Sequence, residues 1–298
     1  MDPAPRYATH SAYTDPGPYG QLLDALPDGT RSLTDAVRNV VVHYRASGID
    51  FPPDRLEEVN LRWADAMLAR DQQRTGTPLD TPRPAEERLV GCCRDFTLLT
   101  VAGLRQRGIP ARSRVGFAGY LAEDHHYDHV IAEYWDGDRW VFADAQLDPA
   151  QDWPFDPGDI PHLVGAKPEQ RPHLETAAQV WTAFRRGEID ESSYGVAPGH
   201  DACGGWFIRN HVVMELAHRM RTEMLLWDGW GPMSETLDGD LERIDRIAAL
   251  LLAADAGDEA AERELTARFD SEPDLRPGAS IMSFSPVSGP QQVDLTRH

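Results

Sequence analysis

Residues 89–148 read LVGCCRDFTLLTVAGLRQRGIPARSRVGFAGYLAEDHHYDHVIAEYWDGDRWVFADAQLD, and the rest of the chain is organised around this stretch. An apolar segment follows Gly91, Cys92 and Cys93. An alternating segment follows His129, and Asp144 closes the next one. A cysteine, a histidine and an aspartate at the ends of predicted elements indicate a nucleophilic site, in which the base activates the thiol and the acid orients the base.

Residues 93–107 are predicted to form a mostly buried helix. Gly108, followed by Ile109 and Pro110, is a helix stop signal. Cys93 therefore lies in the first turn, where free backbone N–H groups and the helix dipole favour the thiolate, the nucleophilic form. The apolar residues that recur at helical spacing are Phe96, Leu98, Leu99, Val101, Ala102 and Leu104.

Two neighbours of Cys93 admit more than one interpretation. Cys92 competes for the role of nucleophile, but a helix that starts at Cys93 leaves Cys92 at the cap and pointing elsewhere. Either cysteine taken alone can be a small buried hydrophobic residue. Arg94 either adds positive charge near the sulfur or pairs with a surface carboxylate.

Residues 130–135 and 139–143 are predicted strands, and the Asp136-Gly137 pair between them favours a hairpin. A two-residue loop places His129 opposite Asp144, whereas a loop over residues 136–139 makes the two residues diagonal on the same face. Either register lets the carboxylate hold the imidazole, which then serves as base and acid. The alternatives are a turn-capping Asp144 and an ordinary edge-strand histidine.

The histidine-rich segment 125–129 also raises the possibility of a metal site. A metal hydrolase built on His125, His126 or Cys203 is therefore an alternative to thiol chemistry. No second ligand cluster has the spacing of a metal motif, and the sequence has no glycine-rich phosphate loop. We therefore expect no metal and no cofactor.

Four motifs together resemble the core of the transglutaminase-like superfamily. They are Gly-x-Cys-Arg-Asp-Phe at 91–96, Leu-Arg-x-x-Gly-Ile-Pro-Ala-Arg at 104–112, Asp-His at 128–129 and Arg-Trp-Val-x-x-Asp at 139–144. The resemblance covers roughly residues 37–148 and implies a papain-type architecture. By position it implies Cys93 as nucleophile, His129 as base and Asp144 as orienting acid. Cys92 stands at the motif's variable position, which favours Cys93.

Two later segments, residues 205–210 and 226–231, resemble a bacterial subgroup of this superfamily with a helical C-terminal extension. Their polar and aromatic residues either line a binding cleft or serve as packing and caps. Trp63, in a helix predicted over residues 54–74, either belongs to the core, as helix aromatics usually do, or approaches the thiol. The candidate substrate-binding residues are Arg94, Trp63, Arg209, Asn210, Trp227 and Asp228.

With this resemblance, we predict an α+β fold: a transglutaminase/papain-like core with an antiparallel sheet packed on the cysteine helix. A helical C-terminal region is expected to pack against this core. We divide the chain into an N-terminal arm (1–30), a transglutaminase-like core (31–160), a helical region (161–270) and a polar tail (271–298).

The 298-residue chain has 29 Lys and Arg against 49 Asp and Glu, a net charge of −20. This balance argues against nucleic acid and anionic membranes as partners. The N-terminal residues lack a signal pattern, no stretch reaches membrane-spanning length, and three cysteines make no disulfide framework. A cytoplasmic location is therefore expected.

The predicted function is acyl transfer through a cysteine thioester, with an amine or water as acceptor. The expected partner is a small-molecule, peptide or carrier-bound acyl substrate. A hydrolase of the cysteine peptidase or amidase type is one alternative, and a non-catalytic binding protein that keeps the fold is another. The sequence carries no signal for the oligomeric state.

Overall fold

The computed structural model describes residues 5–162 and 174–296 and shows an α+β protein, as predicted. Its helices in this part of the chain are α1 (Gly20–Asp24), α2 (Thr30–Val40), α3 (Pro53–Leu56), α4 (Ala64–Arg74), α5 (Cys93–Gln106), α6 (Ala177–Arg185), α7 (Gly205–Arg219), α8 (Leu241–Asp255) and α9 (Glu259–Ser271). Its strands there are β1 (Val41–His43), β2 (Leu89–Gly91), β3 (Ala111–Ala118), β4 (His126–Trp135), β5 (Trp140–Ala143), β6 (Leu174–Thr176), β7 (Tyr194–Gly195), β8 (Asp228–Gly229), β9 (Ser280–Ser285) and β10 (Gly289–Asp294).

The central sheet has the order β5-β4-β3-β6, with antiparallel pairing throughout, and β7 adds a short parallel pairing to β4. Helix α5 packs on the two middle strands, and helix α7 packs on β3. The Thr97 hydroxyl of α5 donates to the Val130 carbonyl at 2.7 Å, and Ser113 of β3 hydrogen-bonds His218 of α7 at 2.8 Å. The predicted packing of an antiparallel sheet on the cysteine helix is confirmed.

Helix α5 starts at Cys93 and ends at Gln106, one residue short of the predicted end. Its start is fixed by a cap in which the Cys92 backbone N–H donates to the Asp95 carboxylate at 2.8 Å. Its end is fixed at Gly108, whose φ of +70° is unfavourable for other residues. Because every residue from 93 to 105 is buried, the helix is the centre of the core.

The β4–β5 hairpin has the longer of the two predicted loops. Trp135 pairs with Trp140 and Ala132 with Ala143, so residues 136–139 form the turn. The Asp136 carboxylate accepts the backbone N–H groups of Asp138 (2.8 Å) and Arg139 (2.9 Å), which stabilises the four-residue loop. Asp144 follows the last paired residue of β5.

The single helix predicted over residues 54–74 is wrong, because the chain is extended between α3 and α4. Residues 57–60 form a 3-10 turn, and Leu61 has extended dihedral angles. The carbonyl oxygens of Leu61 and Arg62 accept hydrogen bonds from the Arg94 guanidinium instead of from helical N–H groups. This tertiary contact overrides the local helical pattern.

The C-terminal helices share one hydrophobic core with the sheet. Val115 and Val130 of the sheet belong to the same buried cluster as Ile208 and Val212 of α7. The predicted limit at residues 160–161 lies beside residues 163–173, which are outside the described part of the chain. The division of the core from the helical region stays a prediction.

Both chain ends contain regular structure. Within the predicted polar tail over residues 271–298, β9 and β10 form a hairpin, β9 also pairs with β8, and alternate residues of β9, such as Ile281 and Ser283, are buried. The N-terminal arm contains short helices, and its Tyr7 hydroxyl hydrogen-bonds the Arg219 carbonyl at 3.2 Å. Within the described residues, no helix has the length and apolar character needed to cross a bilayer.

Candidate active site

Cys93 is positioned by the strand that precedes it. Strand β2 pairs in parallel with β1 and ends at Gly91, so that Cys92 is the helix cap and Cys93 the first residue of α5. The Cys93 side chain is only 5% exposed and belongs to the cluster that contains Phe117 and Val130. A thiol is thus placed at the positive end of a buried helix.

His129 and Asp144 lie within hydrogen-bond distance. The His129 Nε2 atom is 2.7 Å from Asp144 Oδ2, and both residues are buried. The other carboxylate oxygen of Asp144 accepts the Gln146 backbone N–H at 3.0 Å. Cys93 and His129 also shift each other's pKa through charge and a side-chain hydrogen bond. Because Asp144 holds Nε2, Nδ1 is the ring nitrogen left for the thiol. The structure therefore brings the three predicted residues together.

Tyr120 is a member of this site that the sequence analysis missed. Its hydroxyl donates to Asp144 Oδ2 at 2.6 Å, and its ring meets the His129 ring edge-on at 5.9 Å. No local pattern marks Tyr120, because its partner carboxylate lies 24 positions later. The hydroxyl binds Oδ2 and the Gln146 N–H binds Oδ1, so the two together fix the orientation of the carboxylate.

The electrostatics of the site favour a thiolate–imidazolium pair. A hydrogen bond from Cys92 and the charge of His129 outweigh burial and lower the pKa of Cys93 to about 6. Burial opposes the charged imidazole, but Asp144 and the thiolate raise the pKa of His129 to about 10. The imidazolium, in turn, holds the pKa of Asp144 below its usual range in spite of burial. Cys93 and His129 are both charged between these values.

Cys92 is the neutral partner in this arrangement. Its hydrogen bond to Cys93, its burial and the nearby Asp95 raise the pKa of Cys92 well above its usual range. Cys92 therefore stays protonated, and its thiol is the hydrogen-bond donor that lowers the pKa of Cys93. The two adjacent cysteines have opposite electrostatic environments, and these favour Cys93 as the nucleophile.

Arg94 is buried, with 1% exposure, and therefore does not pair with a surface carboxylate. It lies 3.1 Å from Asp95 Oδ1 and donates to the carbonyl oxygens of Leu61, Arg62 and Glu223. These bonds tie two other segments to the first turn of α5. A substrate-binding role for Arg94 stays a prediction.

Two of the other candidates on the C-terminal side hold the chain around residue 234. The Arg209 guanidinium donates to the carbonyl oxygens of Ser234 (2.9 Å) and Asp238 (2.8 Å). The Asn210 side chain hydrogen-bonds the backbone N–H of Ser234 at 3.2 Å and its carbonyl oxygen at 3.0 Å. These contacts account for the polar atoms of both side chains without a ligand.

The remaining candidates lie around an ion pair. Asp228 accepts from Arg62 at 2.7 Å and from the Leu225 N–H at 3.1 Å. Because Arg94 binds the Arg62 carbonyl, Arg62 links Arg94 to Asp228. Trp227 packs beside the β1–β2 pair, and its buried Nε1 has no hydrogen-bond partner in the described part of the chain. Trp63 directly precedes α4.

The residues of the metal alternative have other partners. His125 Nε2 is 3.1 Å from the Gly195 carbonyl oxygen, and His126 stacks on Tyr194 with ring centroids 4.3 Å apart. Cys203 pairs with Gly195 through a backbone bridge. Among residues 5–162 and 174–296, no group of three or more His, Cys, Asp or Glu is arranged to hold a metal ion.

Comparison with known proteins gives one family match. Residues 54–145 match the model of the transglutaminase-like superfamily core. No curated protein matches the sequence. A solved structure described as "a Putative Cysteine Protease from Cytophaga hutchinsonii" is 21% identical, with a TM-score of 0.32, and the match covers 49% of this chain and 43% of that chain.

The family match lies within the region of residues 37–148 that the motifs predicted, and it spans the cysteine, the histidine and the aspartate. The bacterial subgroup with its helical extension stays a prediction, as do the individual roles of the site residues. Residues 54–145 are thus similar to the transglutaminase-like superfamily core, and this similarity supports a cysteine-dependent enzyme in general terms.

Proposed function

We propose that this protein catalyses acyl transfer through a thioester on Cys93, from an amide or thioester donor to an amine or to water. The observation that carries the proposal is the linked set of side chains at the start of α5. The Cys93 thiol is hydrogen-bonded to His129, and His129 Nε2 lies 2.7 Å from the Asp144 carboxylate. A thiol, a base and an orienting acid in this order are the parts that nucleophilic acyl transfer requires.

The first half-reaction forms the thioester. The Cys93 thiolate attacks the donor carbonyl carbon, a C–S bond forms, and the carbonyl electron pair moves onto oxygen. Backbone N–H groups at the start of α5, including that of Cys93, stabilise the oxyanion. His129 then gives its Nδ1 proton to the leaving nitrogen or sulfur as the bond from that atom to the carbonyl carbon breaks.

The second half-reaction transfers the acyl group. The neutral His129 accepts a proton from the incoming amine or water as it attacks the thioester carbonyl. The C–S bond then breaks, and the electron pair returns to the Cys93 sulfur, which restores the thiolate–imidazolium pair. Asp144 and Tyr120 keep Nε2 of His129 in place, so Nδ1 remains the atom that moves the proton.

The burial of the site supports a narrow donor group. Cys93 is 5% exposed, His129 2% and Asp144 3%. A donor must therefore present its carbonyl on a slender chain, such as a side-chain carboxamide or a carrier-bound thioester. The same enclosure limits access of bulk water to the thioester and supports an amine acceptor. The net charge of −20 favours cationic amines over anionic acceptors.

The test uses p-nitrophenyl acetate as an acyl donor and intact-mass spectrometry to detect the acetyl group. We expect the wild type to gain one acetyl group at Cys93 and to release p-nitrophenolate. Cys93→Ala removes the nucleophile and should reduce the rate by on the order of 10⁶. Cys92→Ala is the matched control, since it removes the adjacent thiol and keeps Cys93. Acetylation at Cys92 in the wild type would contradict the assignment.

The alternatives within the proposal are separated by the fate of the acetyl group. Adding a small primary amine at increasing concentration should divert the acetyl group from water to the amine, and the product ratio measures transfer against hydrolysis. Release to water alone at every amine concentration would favour the hydrolase. A Cys93 that is inert to the ester would favour the binding protein that keeps the fold.

A further inference from the structure

The proposed oxyanion requires a hydrogen-bond donor beyond the backbone N–H groups of α5, and the end of strand β1 lies beside that helix start. In the parallel β1–β2 pair, His43 is level with Gly91, two residues before Cys93. The backbone N–H of Tyr44 donates to the Gly91 carbonyl at 2.9 Å. The residues after Val42 are thus clamped to the segment that leads into the nucleophile.

The side-chain alternation of β1 places His43 on the α5 side of this pair. A Cβ built on Gly91 would lie 3.0 Å from Val41 Cγ1 and 2.7 Å from Asp95 Oδ2, so Val41 and the first turn of α5 share one face. Residues two apart in a strand point to the same face. His43 therefore lies on the face of Val41, but one step closer to the start of α5.

The hydrogen bonds of His43 define its tautomer. Its Nδ1 accepts the backbone N–H groups of Arg45 at 3.2 Å and Ala46 at 3.1 Å, so the proton of the neutral ring is on Nε2. The ring is further held by stacking on Tyr44, with centroids 5.3 Å apart. In the described part of the chain, Nε2 has no hydrogen-bond partner. A fixed, half-buried N–H donor is therefore free for a ligand.

His43 remains neutral at working pH. Burial, followed by the positive charge of His129, lowers the pKa of His43 to about 4. A neutral ring is a donor at Nε2 without being an acid that competes with His129 for the leaving group.

We propose that the Nε2–H group of His43 is the second oxyanion donor for the tetrahedral intermediate formed on Cys93. The inference rests on the proposed acyl transfer, because an oxyanion arises only if the thiolate attacks a carbonyl. It assigns His43 a direct contact with the reacting oxygen. Removing one oxyanion donor in other enzymes lowers kcat by about 10²–10³.

The experiment compares two variants that differ at the Nε2 position. His43→Gln places an amide N–H near Nε2, whereas His43→Phe keeps the ring size and has no donor. Both variants lose the Nδ1 acceptor of Arg45 and Ala46, so any effect on that turn is common to them. A second pair compares His43→Asn with His43→Gln. The shorter Asn amide reaches only the Nδ1 position, whereas the Gln amide reaches the Nε2 position. This pair replaces the first if the phenylalanine variant does not fold.

Two rates are measured for each variant with the full-length protein. Acetylation of Cys93 by p-nitrophenyl acetate passes through an oxyanion, whereas alkylation by iodoacetamide does not. We expect His43→Phe to lower the acetylation rate by about 10²–10³. Its alkylation rate should remain at the wild-type value, and His43→Gln should recover most of the acetylation rate.

The outcomes separate this inference from the proposed function. Equal acetylation rates for the wild type and His43→Phe overturn the role of His43 and leave acyl transfer intact. An equal loss of acetylation and alkylation also overturns it, because His43 then only supports the position of Cys93. A wild type that is alkylated but never acetylated overturns the proposed function itself, and this inference with it.

Discussion

The β3–β4 ladder carries two buried charged regions, one at each end. At one end, Gly116 pairs with His129, which leads to the Cys93–His129–Asp144 site. At the other end, Arg112 pairs with Glu133, which leads to an ion cluster of Arg112, Arg114, Glu133, Arg219 and Asp255. Both regions are buried and lie on the same strands, but they differ in how their charged groups arise and in how the pKa values of those groups are set.

In the ion cluster, guanidinium groups face carboxylates, and the pKa values of these two kinds of group lie far apart. Glu133 lies beside two guanidinium groups, and Asp255 contacts Arg114 and Arg219. Despite burial, the nearby arginines hold the pKa of Asp255 far below its usual range, and the carboxylates raise that of Arg114. The cluster also touches Glu215, which lies 3.3 Å from Arg114 and whose pKa is raised by burial to about 7. The cluster joins the sheet to the C-terminal helices.

At the Cys93–His129–Asp144 site, the thiolate and the imidazolium form by transfer of a proton from Cys93 to His129. A free thiol and a free imidazole are both neutral in much of the neutral range, and their hydrogen bonds here separate the pKa values to about 6 and about 10. The contacts that favour the ion pair also place the proton on His129 rather than on Cys93. Burial alone therefore does not identify a reactive site. A thiol with a lowered pKa beside an imidazole with a raised pKa does identify one.

The largest expected effect distinguishes the two regions directly. Asp144→Asn keeps the shape of the site but disturbs the tautomer of His129, and it should lower the acylation rate by about 10⁴. Glu133→Gln leaves buried guanidinium groups less compensated and should lower the free energy of unfolding by about 3–5 kcal/mol. Denaturant unfolding and acetylation kinetics on both variants check the two expectations.

The contrast between the two regions would be wrong if each substitution had the effect expected of the other. A Glu133→Gln protein that folds but acylates as slowly as Asp144→Asn would mean that the ion cluster supports the chemistry. An Asp144→Asn protein that loses stability but keeps its acylation rate would make Asp144 a structural residue.

A smaller effect is expected for Tyr120→Phe. The substitution removes the hydroxyl that donates to Asp144 Oδ2 and keeps the ring that contacts His129. A hydrogen bond to a charged group is worth about 1.5–3 kcal/mol, so the acylation rate should fall about ten- to a hundredfold. Acetylation kinetics measure the change, and Tyr134→Phe is a control on the same sheet. An unchanged rate would mean that Gln146 and His129 suffice to hold the carboxylate.

The smallest expected effect is a shift in the pH profile of Cys92→Ala. This variant loses the thiol that donates to the Cys93 sulfur, so the pKa of Cys93 should rise and the alkylation profile should move to higher pH. Cys92→Ser keeps a donor and should stay closer to the wild type. Profiles for both variants that coincide with that of the wild type would show that His129 and the helix start alone stabilise the thiolate.

The sequence predicted the elements that depend on neighbouring residues. The start of α5 at Cys93, its end before Gly108 and the hairpin that brings His129 to Asp144 all follow from local patterns. The two loop lengths that the pattern allowed keep the histidine and the aspartate on one face, and the structure has the longer one. The motifs around these residues were sufficient to predict the transglutaminase-like core.

Contacts between distant segments account for the rest. The segment before α4 is extended because the Arg94 guanidinium donates hydrogen bonds to the carbonyl oxygens of Leu61 and Arg62. The local helical pattern does not reveal these long-range contacts. The β9 strand is held by pairing with β8 and by the bond of Ser283 to Arg62 at 3.0 Å. Tyr120 reaches Asp144 through a contact across 24 positions that no local spacing encodes.

The central claim is that Cys93 is a thiolate stabilised by His129. Its most direct test is the pH dependence of iodoacetamide alkylation at Cys93, read by peptide mass spectrometry on the wild type and on His129→Gln. We predict a wild-type midpoint near pH 6, since the pKa of Cys93 is about 6, and a shift in the variant toward the free-cysteine value of about 8.5. A wild-type midpoint at the free-cysteine value, unchanged by the substitution, would contradict the account.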